Sequence, residues 1–149
     1  MNELNCFCID DILQDNMMNI SICIKEKKLQ KNIQDAVNEY IKRLCPYCKI
    51  CIVFFSSEKE LLKIVSGKYV ICIDDNTDMI SSEELADKLN NYSLTGSSSL
   101  AYIINYEYSS SNEHLSLASI SLSSDMKALL LSEQIYRAYR INNNQPYHK

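Results

Sequence analysis

Residues 50–55 (Ile-Cys-Ile-Val-Phe-Phe) and 69–73 (Tyr-Val-Ile-Cys-Ile) are apolar on both of the alternating faces that an extended chain presents. Strands of that kind need cover on two sides, which places them in the middle of a sheet and makes them the anchor of the core. Between them Ser57 can cap a helix that runs through Glu58, Glu60, Leu61, Leu62, Ile64 and Val65, with Gly67 as its stop. Two buried strands joined by a helix predict a parallel arrangement, because a helical crossover carries the chain back to the end of the sheet where the first strand began.

The flanking segments extend this pattern. Ile20, Ile22 and Ile24 alternate with Ser21, Cys23 and Lys25, the period of a strand with one buried face. From Leu29 a helical stripe runs through Ile33, Ala36, Val37, Tyr40, Ile41 and Leu44 and is ended by Pro46. Ser81 or Ser82, followed by Glu83 and Glu84, caps a helix to about residue 92 along Leu85, Ala86 and Leu89. The loop 93–99 contains Gly96 and three serines in a row. Leu100, Tyr102, Ile104, Tyr106 and Tyr108 then line one face of a strand, a polar turn 109–114 follows, and 115–122 reads as a second strand with a bulge. These two strands are expected to pair as an antiparallel hairpin at the sheet edge. Ser124 and Asp125 cap a last helix through Ala128, Leu131, Ile135, Ala138 and Tyr139. The expected fold is α+β: a mixed sheet of about five strands with an antiparallel edge hairpin, flanked by about four helices. An α/β three-layer sandwich is the alternative.

With 149 residues, 46% hydrophobic and 23% charged, the chain should close one core as a single domain, 1–149, with 1–18 as a lead-in and 142–149 as a polar tail. Met17 and Met18 are available to pack on that domain. The net charge of -4 provides no overall field for phosphate backbones or anionic lipid, so neither nucleic acid nor membrane is an expected partner. No apolar run approaches the roughly 18–20 residues that span a bilayer, and the acidic start does not resemble a secretory signal. Seven cysteines, an odd number set mostly in apolar runs, point to reduced thiols and a cytoplasmic setting; export without an N-terminal hydrophobic signal stays open. A short echo, Cys8-Ile9-Asp10-Asp11 and Cys72-Ile73-Asp74-Asp75, is too brief to indicate duplication. The abundance of Ile, Asn, Lys, Tyr and Ser suggests an AT-rich genome.

Several residue groups carry potential chemistry. Cys45-Pro46-Tyr47-Cys48 has the dithiol spacing of thiol oxidoreductases, but it follows a helix, where the dipole opposes a thiolate. Cys51 extends it to three cysteines at metal-ligand spacing, with no fourth ligand in view, so no metal and no cofactor are expected. Asp74 and Asp75 end a central strand, where carboxylates can hold a divalent ion or simply form a solvated turn. His114 and His148 have no Cys or Asp neighbour in sequence and are read as surface residues. Tyr102, Tyr106 and Tyr108 on one strand face could bind a protein partner, or be covered by a helix.

The last helix, residues 128–140, presents an apolar approach followed by Ser132-Glu133-Gln134-Ile135-Tyr136, with a small residue, Ala138, beyond. This pattern, after an edge strand, resembles the His-Glu-x-x-His helix of zincin metallopeptidases with both histidines replaced by Ser132 and Tyr136. The resemblance implies a zincin-like scaffold that has lost its zinc. The same residues can also be an ordinary core stripe, with Glu133 and Arg137 as an i,i+4 pair worth about 0.3–0.5 kcal/mol. The function expected from these residues is non-catalytic: binding or regulation through protein contacts or self-association. The alternative is an enzyme, either a thiol oxidoreductase using Cys45 and Cys48 or a metal-dependent one using Asp74 and Asp75.

Overall fold

Alternation along the strands decides the layers. In the computed structural model, which describes residues 3–4 and 16–147, the elements are β1 (Glu3–Leu4), β2 (Asn19–Ile24), α1 (Lys31–Leu44), β3 (Lys49–Phe54), α2 (Glu58–Val65), β4 (Tyr69–Ile73), α3 (Ser82–Leu94), β5 (Ser99–Ile104), β6 (Glu113–Leu115) and α4 (Ser124–Asn142). The strands form one sheet in the order β1-β3-β2-β5-β4-β6. Ile20, Ile22, Ile24, Ile52, Ile71, Ile73, Tyr102 and Ile104 turn to the face packed by α1, α3 and α4. The intervening Cys23, Val70, Cys72, Ala101 and Ile103 turn to the other, where Leu61 and Val65 of α2 cover them. Helices thus lie on both faces of a single α/β sheet. Each isoleucine buried there contributes about 1.5–3 kcal/mol relative to exposure.

Helix ends follow their local residues. The Ser81 hydroxyl accepts from Glu84 N at 3.1 Å while the Glu84 carboxylate accepts from Ser81 N at 2.7 Å, a reciprocal capping box. Ser57 accepts from Glu60 N at 3.3 Å, and Gly67, at φ +74°, turns the chain from α2 into β4. The cap of α4 is Ser123, one residue before the expected position. Met18 is buried in the core, and its sulfur accepts from the Tyr139 hydroxyl at 3.7 Å. Residues 5–15 of the expected lead-in, the Cys8–Asp11 echo and His148 lie outside the described residues.

The sheet is mixed, but its antiparallel contact is β1 against β3; every other pairing is parallel. The expected antiparallel edge hairpin of 100–108 with 115–122 does not form. β5 ends at Ile104 and lies centrally between β2 and β4, while β6 is three residues long and parallel to β4. Asn105 is the cause: its φ of +51° turns the chain out of the ladder. Tyr106 and Tyr108 then pack against the α2 side of the sheet, and Asn112 hydrogen-bonds Val70 through both backbone and side chain, setting β6 beside β4.

Candidate active site

Five parallel strands bring their carboxyl ends to one edge, which in open α/β sheets is where ligands bind. β2 delivers Lys25, Lys27 and Lys28 there, all exposed; β4 delivers Asp74 and Asp75; β5 delivers Asn105. Gln30 N donates to the Asp125 carboxylate at 2.8 Å, so the lysine-bearing loop docks on the first turn of α4.

Lys127 organises this edge. It is 2% exposed, and its Nζ lies 2.7 Å from Asp75 Oδ1 and donates to Asn105 Oδ1 at 2.5 Å. Asn105 Nδ2 in turn donates to Ser124 Oγ at 3.1 Å. The Lys127 hydrogen bond holds the Asp75 carboxyl below its ordinary range. Next to it His114 Nδ1 meets Asp74 Oδ2 at 2.7 Å and His114 Nε2 meets Ser111 Oγ at 2.9 Å. Asp74 is oriented by Asn76 N and the Thr77 hydroxyl, which donate to its other oxygen at 3.1 and 3.3 Å. Asp74 thus heads a carboxylate–imidazole–hydroxyl chain that runs back along β6, where His114 lies beside Cys72 of β4, while at the edge itself a buried cation joins two strand ends to a helix.

Lys127 and Asn105 were not among the residues singled out from sequence. Lys127 sits four residues before Leu131 on the apolar stripe of α4, and a lysine on that stripe is the signal that could have revealed it. His114 was read as having no acidic neighbour; the parallel pairing of β6 with β4 supplies Asp74, forty positions away.

The other expected sites are dispersed. Ser132 is fully buried and donates to Ala128 O at 2.7 Å, whereas Glu133 accepts two bonds from Arg137, at 2.8 and 3.1 Å, and one from the Tyr147 hydroxyl. Tyr136 lies between the rings of Tyr40 and Tyr147, at 6.1 and 5.9 Å. Glu133 and Tyr136 both meet Tyr147, and Ser132 is buried away from them in the core. Cys45 caps α1, its thiol donating to Ile41 O at 3.4 Å, and Cys48 is buried in the core. No cluster of three metal-ligating side chains exists among the described residues, Asp74 and Asp75 included. Tyr102 is completely buried beneath the helices, and Tyr106 and Tyr108 lie beyond the strand, so the single tyrosine-lined face is absent.

Residues 18–148 match the family described as "Predicted SPOUT methyltransferase". The chain belongs to the SPOUT methyltransferase family. It is 38% identical, over 89% of its length and 100% of the relative's, to a protein named ribosomal RNA large subunit methyltransferase H from Clostridioides difficile (strain 630). It is 35% identical to a protein named ribosomal RNA large subunit methyltransferase H 1 from Thermoanaerobacter sp. (strain X514), over 89% and 100% of the two chains. A third relative, ribosomal RNA large subunit methyltransferase H of Dictyoglomus thermophilum, is 36% identical over 88% and 99%.

SPOUT membership overturns four expectations. The helix 128–140 is not a zinc-stripped zincin helix: an apolar stripe followed by a glutamate is too common a pattern to specify that family. The chain belongs to a family of enzymes, so the non-catalytic binding role does not stand, and neither does the thiol or metal-dependent alternative. The exclusion of nucleic acid fails against relatives named for ribosomal RNA. Net charge sums the whole molecule and does not describe a local surface, such as the three exposed lysines after β2.

Proposed function

We propose that this chain is a methyltransferase acting on RNA of the large ribosomal subunit, in the cytoplasm where ribosomes are found. The observation that carries the reading is the end-to-end relationship to a methyltransferase named for that RNA, 38% identical over the whole of the relative. Two features of the carboxyl edge support it. Exposed Lys25, Lys27, Lys28 and Lys31 provide positive charge for phosphates where the net charge of the molecule does not. A base nitrogen that carries a hydrogen loses it as a proton when it gains a methyl group, and the Asp74–His114–Ser111 chain, whose Asp74 stands at this edge, offers an imidazole and a carboxylate that can take a proton.

The family implies a sulfonium methyl donor of the S-adenosylmethionine type. Carboxylates such as Asp74 and Asp75 suit the cationic centres and hydroxyls of such a donor. Lys127, however, already occupies the space between Asp75 and Asn105 and neutralises the carboxylate there. Glycine allows close backbone approach to a ligand, but the two glycines of the chain, Gly67 and Gly96, precede β4 and β5 and so lie at the opposite edge. With Lys127 in place the Asp75 carboxylate is closed to the donor, and in this arrangement the residues do not fit it.

The test is transfer of labelled methyl from S-adenosylmethionine to RNA in purified large ribosomal subunits. Incorporation above a heat-inactivated control is expected. No incorporation, together with no heat of donor binding in calorimetry, would remove the reading.

A further inference from the structure

The first turn of α4 is tied to the carboxyl ends of β2, β5 and β4, three neighbours in the sheet. The loop after β2 reaches it through Gln30 N and the Asp125 carboxylate, β5 through Asn105 and Ser124, and β4 through Asp75 and Lys127. The first two ties are exposed; the Lys127 tie is the buried one. Its burial is shallow. The Asp75 side chain keeps 32% of its surface exposed, so the ammonium lies just beneath a carboxylate that faces water. A lysine stem is long enough to carry its head past such a partner into solvent while its methylenes stay on apolar surface. Release from Asp75 therefore leaves no cation in the core, and Ala128 and Leu131 can keep α4 packed, both being fully buried. The approach to the turn is held loosely as well. Residues 117–123 form no helix or strand, and none of their backbone N–H groups donates to another backbone group among the described residues. Segments of that kind open at the low end of a protein's local stabilities.

We infer that Lys127 is a latch on the crevice between the β4 and β5 ends, closed here onto Asp75 and Asn105 and turned out to solvent when a cationic donor of the S-adenosylmethionine type binds. The inference rests on the methyltransferase reading and adds the regulation of that site. One cation replaces another: the sulfonium or ammonium of the donor takes the place of the lysine ammonium against Asp75, so the carboxylate is paired in both states. A ligand shifts such an equilibrium only by its differential affinity, and the donor meets Asp75 in the open state alone. A closed state favoured about tenfold lowers the apparent affinity for the donor about tenfold. A nucleoside without a positive charge gains nothing from Asp75 and leaves the latch shut.

Acetylation by N-hydroxysuccinimidyl acetate, followed lysine by lysine in peptide mass spectra of the full-length protein, tests the latch. Without ligand, Lys127 is expected to react about tenfold more slowly than Lys42, whose side chain is 58% exposed, in proportion to the time the latch is open. Saturating S-adenosylmethionine should raise the Lys127 rate about tenfold and leave Lys42 unchanged, whereas adenosine should change neither. Asp75→Asn removes the charge that holds the latch and should raise the Lys127 rate with no ligand present; thermal melts confirm that the variant is folded. The latch is overturned if calorimetry shows the donor bound while Lys127 stays protected, or if adenosine exposes Lys127 as well as the donor does. It is overturned too if Asp75→Asn leaves Lys127 as protected as before, or if neither the unaltered protein nor Lys127→Met binds the donor. Binding by Lys127→Met alone supports a latch that stays shut. Methyl transfer to large-subunit RNA, scored on the same preparations, separates the two claims. Transfer with Lys127 protected throughout sinks the latch alone; absent transfer with donor-dependent exposure of Lys127 sinks the methyltransferase reading alone.

Discussion

A lysine with 2% of its surface exposed is tolerated only because its ammonium is met, here by Asp75 and Asn105. Those partners are also what keep it in the crevice between two strand ends. If Lys127 is the obstacle to a cationic donor, Lys127→Met should tighten S-adenosylmethionine binding about tenfold, or 1.4 kcal/mol, by freeing Asp75, and calorimetry measures this directly. Unchanged or weaker binding would show that the lysine does not close the site. His114→Gln removes the proton acceptor while retaining a hydrogen-bonding side chain, and should lower methyl transfer by about 10²-fold with RNA affinity preserved. Tyr102 presents the opposite situation. It is wholly buried, and its hydroxyl has no hydrogen-bond partner among the described residues. Tyr102→Phe strands no protein group, so denaturant unfolding should find it neutral or more stable by about 1 kcal/mol.

At the scale of elements, capping has a measurable value. Ser81→Ala removes one half of the α3 capping box and should cost about 0.5–2 kcal/mol of stability, read as a lower denaturant midpoint with an unchanged slope. A cap at Ser81 or Ser82 was legible beforehand, as were the helix over residues 58–65 and the strand over 69–73, because caps and periodicity are written in adjacent residues; the reciprocal bond from Glu84 was not. What was not visible is what long-range pairing decides. Leu100, Tyr102 and Ile104 alternate as a strand, and so do Tyr106 and Tyr108, but Asn105 takes a left-handed conformation between them and periodicity alone cannot reveal that break. The register of β6 against β4 is equally silent in the sequence, and with it the meeting of His114 with Asp74. Lys127 was not singled out, although its place on the α4 stripe marks it. The family itself is carried by the whole length of the chain rather than by any local motif, which is why a five-residue pattern in α4 could suggest another one.

The molecule as a whole is held at one sheet edge by a network centred on Glu113. This β6 carboxylate accepts from Lys88 and Tyr92 of α3 and, at 3.3 Å, from Tyr69 of β4, joining a helix and two strands. Partial burial raises its pKa, but the Lys88 and Tyr92 contacts outweigh it and the net position is below the ordinary 4.5. A carboxylate whose folded pKa is depressed contributes stability that is fully present above its unfolded value. That contribution is lost as pH falls through the folded value. Glu60, Asp75 and Glu84 are depressed too, so the protein should lose stability on acidification below about pH 4.5 rather than on approach to neutrality. Glu113→Gln isolates the share of the network. It keeps the size of the side chain and an acceptor oxygen for the tyrosines but removes the charge facing Lys88, which is about one-third exposed, so screening limits the loss to about 1 kcal/mol at neutral pH. The distinguishing readout is the pH profile: unfolding free energies of the variant and the unaltered protein should converge as pH falls through the Glu113 titration, whereas a purely steric defect would keep them parallel.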